Sequence, residues 1–168
     1  MSTRQPNAVQ LPLDDIALRL GGAALAGVLV GLNRDLRGKP IGMRTLGLVA
    51  LGGAIAAVAS VQFADLNDHP DALSRVVQGI VQGIMAGVSF IGAGVILRDA
   101  ERGIVEGLTT AATVWVSAAL GIACGLAAWR TATLGLVIAL GLLVGLGWLE
   151  AKLGRTPDRA DGKGPLGQ

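Results

Sequence analysis

Long stretches without a charged residue alternate with short, strongly charged ones along this chain. Four of the stretches, Thr45 to Ala64, Val76 to Leu97, Gly107 to Trp129 and Thr131 to Leu149, approach the roughly 20 residues that cross about 30 Å of hydrocarbon. A charge at the centre of a bilayer helix costs about 2.5 to 3.5 kcal/mol on insertion scales, so each stretch predicts a transmembrane helix. A fifth stretch, Leu20 to Asn33, is shorter. It reaches spanning length by starting near Ile16 and taking in Arg19, which lies four residues after Asp15 in the first turn and can extend its head outward. The pattern predicts an all-α polytopic membrane protein with five transmembrane helices, at about 16–33, 45–64, 76–97, 107–129 and 131–149, within a transmembrane domain over 16–153.

The flanks read differently. Residues 1–15 lack a basic region feeding an apolar run with a cleavage site, so a retained first helix is expected rather than a removable signal peptide. Residues 154–168 are polar, rich in Gly and Pro and free of aromatics, the composition of a disordered tail. Orientation follows from the basic residues. One set of loops and ends carries Arg34, Arg37, Lys39, Arg44, Arg98, Arg102, Lys152, Arg155, Arg159 and Lys163, the other Arg4, Arg19, Arg75 and Arg130. Ten against four predicts N-outside, C-inside by the positive-inside rule. Trp129 and Trp148 fall at expected helix ends as interfacial anchors, whereas Trp115 lies about two turns inside the fourth helix and is expected to pack between helices.

Composition narrows the class further. Of 168 residues, 52% are hydrophobic and 15% charged, against about 25% charged in soluble domains. A mean hydropathy of +0.60 agrees. Disorder, nucleic-acid binding and a disulfide scaffold are disfavoured, since the chain is apolar, carries a net charge of +2 and has one cysteine. The pI near 9.2 rests on that small surplus and says little about partners.

Many of the 26 glycines fall at helix-packing spacing. Gly79, Gly83 and Gly87 repeat at i, i+4, i+8 and are followed by Gly92 and Gly94; Gly27 and Gly31, Gly121 and Gly125, and Gly141 and Gly145 share the spacing. In lipid, small residues let helices approach closely enough to gain van der Waals contact. Packing within the chain is the expectation, a seam between two copies the alternative. Two loop-to-helix junctions, Gly42-Met43-Arg44-Thr45 and Gly107-Leu108-Thr109-Thr110, place threonine hydroxyls where they can cap free backbone N–H groups.

The run GVLVGLNRDLRGKPIGMRTLGLVALGGA (Gly27 to Ala54) resembles the entry motif GxERxxRGKPxGxRT of the MgtC/SapB family of bacterial inner-membrane proteins. GVSFIGAGVIL (Gly87 to Leu97) and EGLTTAATVWVSAALGIACG (Glu106 to Gly125) resemble that family's GxGFxGAGVI and GLxTAATxWxxAAxG signatures, in the same order. The likeness covers about Leu18 to Leu149. It implies a five-helix, multi-pass protein of the bacterial inner membrane linked to growth in low magnesium and, in pathogens, to survival inside host cells. Two departures stand out. Asn33 occupies the position where the family usually has glutamate, with Asp35 nearby, and no C-terminal ACT-like domain is expected in this chain.

A Mg²⁺ route would be expected to offer carboxylates, yet all 12 acidic residues fall in predicted loops or at helix ends. The predicted membrane interior offers neutral groups such as Gln78, Gln82, Ser89, Thr113 and Ser117, which leaves a carbonyl-lined or oligomeric pore as the transport alternative. The densest polar group lies on the predicted cytoplasmic face: Arg34, Asp35, Arg37, Lys39, Arg44 and Thr45 from the first junction, with Arg98, Asp99, Glu101, Arg102, Glu106, Thr109 and Thr110 from the second. Topology determinants with loop ion pairs are one reading. A docking surface for a membrane partner or an anionic lipid headgroup, centred on Arg34, Arg44 and Thr109/Thr110, is the other. Catalysis and resident cofactors are not expected. His69 is the single histidine, Cys124 has no second cysteine, and no phosphate-cradling or dinucleotide motif occurs. The expected function is therefore regulatory contact with a membrane partner or a second copy, among membrane lipids and without nucleic acid. A divalent-cation transporter is the alternative.

Overall fold

The computed structural model describes residues 11–62, 70–99 and 104–152. The element order is α1 (Leu13–Asp35), α2 (Met43–Val61), α3 (Pro70–Gly94), β1 (Leu97–Asp99), β2 (Ile104–Glu106), α4 (Leu108–Gly125) and α5 (Trp129–Lys152). Among the described residues, α1, α2, Ser74–Gly94 of α3 and α4 are long and apolar enough to cross a membrane, and Trp129–Gly145 of α5 forms a shorter apolar helix. The class is all-α and polytopic, as the charge-free stretches predict. Residues 1–10 of the expected N-terminal segment 1–15 and the whole expected tail 154–168 lie outside the described residues, and α1 already begins at Leu13.

Helices α1, α2 and α4 make the core. Its apolar interior joins Ala26 and Val30 of α1, Leu46 of α2, and Val114, Ala118 and Leu120 of α4. The side chains are small because the backbones nearly touch. A Cβ on Gly27 would run into the Leu46 carbonyl, one on Gly31 into Met43, and one on Gly121 into the Ala50 carbonyl. On the facing side of α2, a Cβ on Gly53 would stand 2.9 Å from the Ala118 carbonyl oxygen. Van der Waals contact between backbones replaces the hydrophobic drive that lipid cannot supply. Over half of the apolar window of α4 is buried, against 11% for α3.

Two helix ends are set by the same device. After α1, Lys39 N–H bonds to Arg34 O and Gly38 N–H to Asp35 O, with Gly38 left-handed at φ +61°. This is a Schellman motif, and Pro40 follows to prevent continuation. The Arg37-Gly38-Lys39-Pro40 run of the entry motif is thus a helix stop. After α4, Ala128 N–H bonds to Ala123 O and Ala127 N–H to Cys124 O, with Ala127 at φ +57°. The fourth helix therefore ends at Gly125, short of the expected position 129, and Trp129 opens α5, its ring 2.9 Å from where a Gly22 Cβ would stand.

Other expectations are corrected. The third helix does not run to Leu97; it stops at Gly94 and the chain enters an antiparallel hairpin pairing Leu97 with Glu106, Arg98 with Val105 and Asp99 with Ile104. The passage from β2 into α4 runs through Gly107, at φ +87°, where any Cβ would strike the Val95 carbonyl. Trp115 does not pack between helices; it is 49% exposed on the outer face of α4. Gly27, Gly31, Gly121 and Gly125 pack within the chain as expected, but a Cβ on Gly79, Gly83, Gly87, Gly94, Gly141 or Gly145 would meet none of the described residues within 4 Å; of the α3 glycines Gly92 alone has such a neighbour, Ala111 at 3.5 Å from its Cβ position. The packing glycines lie on α1, α2 and α4, which form the core, while α3 sits at its edge.

Candidate functional site at the basic end

The end of the bundle carrying Arg34, Lys39 and Arg44 gathers most of the candidate residues. Arg34 lies in the last turn of α1, where the helix dipole favours a cation. Close α1–α2 packing leaves it 3% exposed. Its Nη2 donates to the Thr110 hydroxyl in the first turn of α4, and Thr110 is itself 2% exposed. The Thr113 hydroxyl donates to the Thr110 carbonyl at 2.7 Å. No carboxylate pairs with Arg34 among the described residues, and its Nε has no hydrogen-bond partner. The Asn33 Oδ1, at the position of the family glutamate, and the Ser117 hydroxyl are also buried without partners.

Asp35 closes the α1–α2 loop. Its Oδ2 accepts the Met43 N–H at 3.0 Å, satisfying a free donor at the start of α2. Gly42 makes room for it, since a Cβ there would coincide with the carboxylate. The threonines do not cap as expected: neither α2 nor α4 has a side-chain bond from its N-cap, because both N-caps are glycine. Thr110 accepts from Arg34 instead, while Thr45 and Thr109 are exposed. Arg37 reaches the Val144 carbonyl of α5 at 3.4 Å. Lys39 and Arg44 are exposed, without ion pairs among the described residues. Arg98 and Glu106 fall in β1 and β2, their side chains outside the described residues, as are Glu101 and Arg102 entirely. The structure thus joins Arg34 to Thr110 and Asp35 to the start of α2, and leaves Arg44 apart on the surface.

Sequence reasoning missed a second arginine contact. At the opposite end Arg19 pairs with Asp15 at 2.8 Å, but its Nη1 also donates to the Gly125 carbonyl at 3.0 Å, supplying a donor at the C-terminus of α4. The spacing of four residues signals the first contact; nothing local signals the second. Among the described residues, no group of three or more His, Cys, Asp or Glu is arranged to hold a metal ion.

Comparison with known proteins places this geometry. The sequence profile of the MgtC family matches residues 20–152. Protein SrpB of Synechococcus elongatus is 42% identical, over 86% of this chain and 83% of its own length. Protein SapB of Bacillus subtilis is 36% identical over 89% of this chain, and Protein MgtC of Salmonella typhimurium 36% over 87%. The aligned region spans 63% of SapB and 58% of MgtC. No solved structure matches. The matched region runs from residue 20 of α1 to the end of α5, including the Arg37–Pro40 helix stop and the Arg34–Thr110 junction, and the chain belongs to the MgtC family.

Proposed function

We propose that the protein is a regulatory, multi-pass protein of the bacterial inner membrane, N-outside and C-inside, acting through contact with a membrane partner in adaptation to low magnesium. The observation that carries this reading is the outer face of α3. Gly79 and Gly83 stand exposed there, with none of the described residues within 4 Å of where a Cβ would be, although glycines of the same spacing in α1 and α4 are filled by neighbouring backbone. Gln78 and Gln82 are exposed beside them, with no side-chain hydrogen bond among the described residues. Uncapped amides and bare glycines are poor lipid-facing surface and good helix-facing surface. Contact is favoured over cation transport because backbone-to-backbone closure at Gly27, Gly53 and Gly121 fills the space between α1, α2 and α4.

A strain dependent on this protein for growth in low magnesium tests the reading. Gly79→Leu and Gly83→Leu, which enter open space, are expected to abolish growth support while the protein still accumulates in the membrane. Cysteine at Gln82 is expected to crosslink to the partner, and Gly83→Leu to prevent it. Mg²⁺ flux into liposomes above protein-free controls, together with normal growth of the leucine variants, would overturn the proposal in favour of transport.

A further inference from the structure

Two helix starts at the basic end begin alike and are finished differently. Both α2 and α4 follow a glycine N-cap, so neither has the side-chain acceptor that Ser, Thr, Asp or Asn would supply there. At α2 the chain answers with Asp35, whose Oδ2 accepts the Met43 N–H at 3.0 Å. At α4 the first bond runs from the Ala111 N–H to the Gly107 carbonyl, and the N–H groups of Leu108, Thr109 and Thr110 before it have no acceptor among the described residues. The Thr110 hydroxyl accepts from Arg34 Nη2, which leaves its own proton to donate. Arg34 itself is 3% exposed, in no ion pair among the described residues, and its Nε has no partner. Donors and a buried cation thus converge on one turn with no negative charge to answer them. Leu108 and Thr109 are exposed, so the turn is open on its outer side.

We propose that the first turn of α4 binds an oxyanion, the phosphate of a lipid headgroup or of a small solute, on the N–H groups of Leu108, Thr109 and Thr110, with Arg34 as the buried counter-charge. A helix presents the equivalent of about half a positive charge at its N-terminus, and free N–H groups there suit phosphate. Arg34 adds a full charge where burial weakens screening. Gly107, at φ +87°, has no side chain to stand in the ligand's way. The site uses no residue of the bare α3 face at Gly79 and Gly83, so partner contact and anion binding stand or fall separately.

Full-length protein labelled with ¹⁵N-threonine, in dodecyl maltoside at constant ionic strength, is titrated with inorganic phosphate and, separately, with phosphatidylglycerol added to the micelle. The Thr109 and Thr110 amide signals, assigned with Thr109→Ser and Thr110→Ser, are expected to shift and saturate, and chloride is expected not to move them. Saturation by inorganic phosphate makes the ligand a solute phosphate; saturation by phosphatidylglycerol alone makes it a headgroup; either supports the site. Arg34→Met is expected to weaken binding at least about ten-fold, as for one bond to a charged group. Thr109→Asp, which brings a carboxylate to the same turn, is expected to abolish binding with helical content unchanged, and keeps the test open if Arg34→Met fails to fold. Arg130→Gln, losing a charge at the opposite end, is expected to bind as the wild type does. No saturable shift with either titrant, equal shifts with chloride, or wild-type affinity in Thr109→Asp or in folded Arg34→Met would overturn the assignment. So would binding that appears only in Glu106→Gln, which would make that carboxylate the turn's internal occupant.

Discussion

Replacing Thr110 with valine removes a hydroxyl and little else, and Arg34 then has no acceptor. A hydrogen bond to a charged group contributes about 1.5 to 3 kcal/mol, and a cation left buried without it bears its full desolvation. At 3% exposure, with Nε already unpartnered and no ion pair among the described residues, Arg34 has no other side-chain partner there to replace Thr110. Thr110→Val is therefore expected to destabilise the bundle by about 2 to 3 kcal/mol. Arg34→Met loses the same bond but also removes the buried charge, whose desolvation costs several kcal/mol, so it is expected to be neutral or stabilising. In the double variant the valine has no cation to strand, and its stability is expected to match Arg34→Met within about 0.5 kcal/mol. Unfolding of the purified protein with increasing sodium dodecyl sulfate, followed by tryptophan fluorescence, measures all four corners. The reasoning fails if Thr110→Val unfolds with the wild type, or if Arg34→Met/Thr110→Val is as unstable as Thr110→Val alone.

Further outcomes follow from other contacts. Gly121→Ala drives a Cβ into the Ala50 carbonyl, which no rotamer change relieves, and is expected to cost about 1 to 3 kcal/mol, whereas Gly79→Ala in open space is expected to be neutral or to gain up to about 1 kcal/mol in the same assay. Ala127→Gly relaxes a left-handed residue and is expected to stabilise by about 1 kcal/mol. Gly42→Ala displaces the Asp35 carboxylate from the Met43 N–H and is expected to cost about 1 kcal/mol or more, with faster hydrogen exchange confined to the first turn of α2. Arg44→Glu is expected to reduce growth support in low magnesium without loss of membrane insertion; normal growth would remove Arg44 from the functional surface.

The helices are legible because charge is excluded from their centres, and Arg34 and Thr110 are legible as the points where two motifs converge. The partition of the glycines is not. Spacing of four marks a small face on a helix but carries no information about which helix meets it, so Gly121 and Gly79 look alike in sequence and differ completely in surroundings. The break at Gly125 is hidden because its left-handed residue is Ala127, where glycine would have announced the stop. The β1–β2 hairpin is hidden because Ile96 and Leu97 extend the apolar run of α3 past its end. Arg19 shows only its local partner, since its bond to the Gly125 carbonyl joins positions 106 residues apart.

That separation sets an order of assembly. Both arginines of α1 terminate on α4, Arg34 at 76 residues' distance and Arg19 at 106. At a synthesis rate of about 5 to 20 residues per second, the acceptor for Arg34 emerges roughly 4 to 15 s after Arg34 itself. The α1–α2 pair is different: Asp35 and Met43 are eight residues apart, so their closure is available as soon as the loop is made. An α1–α2 hairpin formed first would carry Arg19 and Arg34 at opposite ends of α1, and α4, bonded to both, closes the two ends of the bundle when it packs.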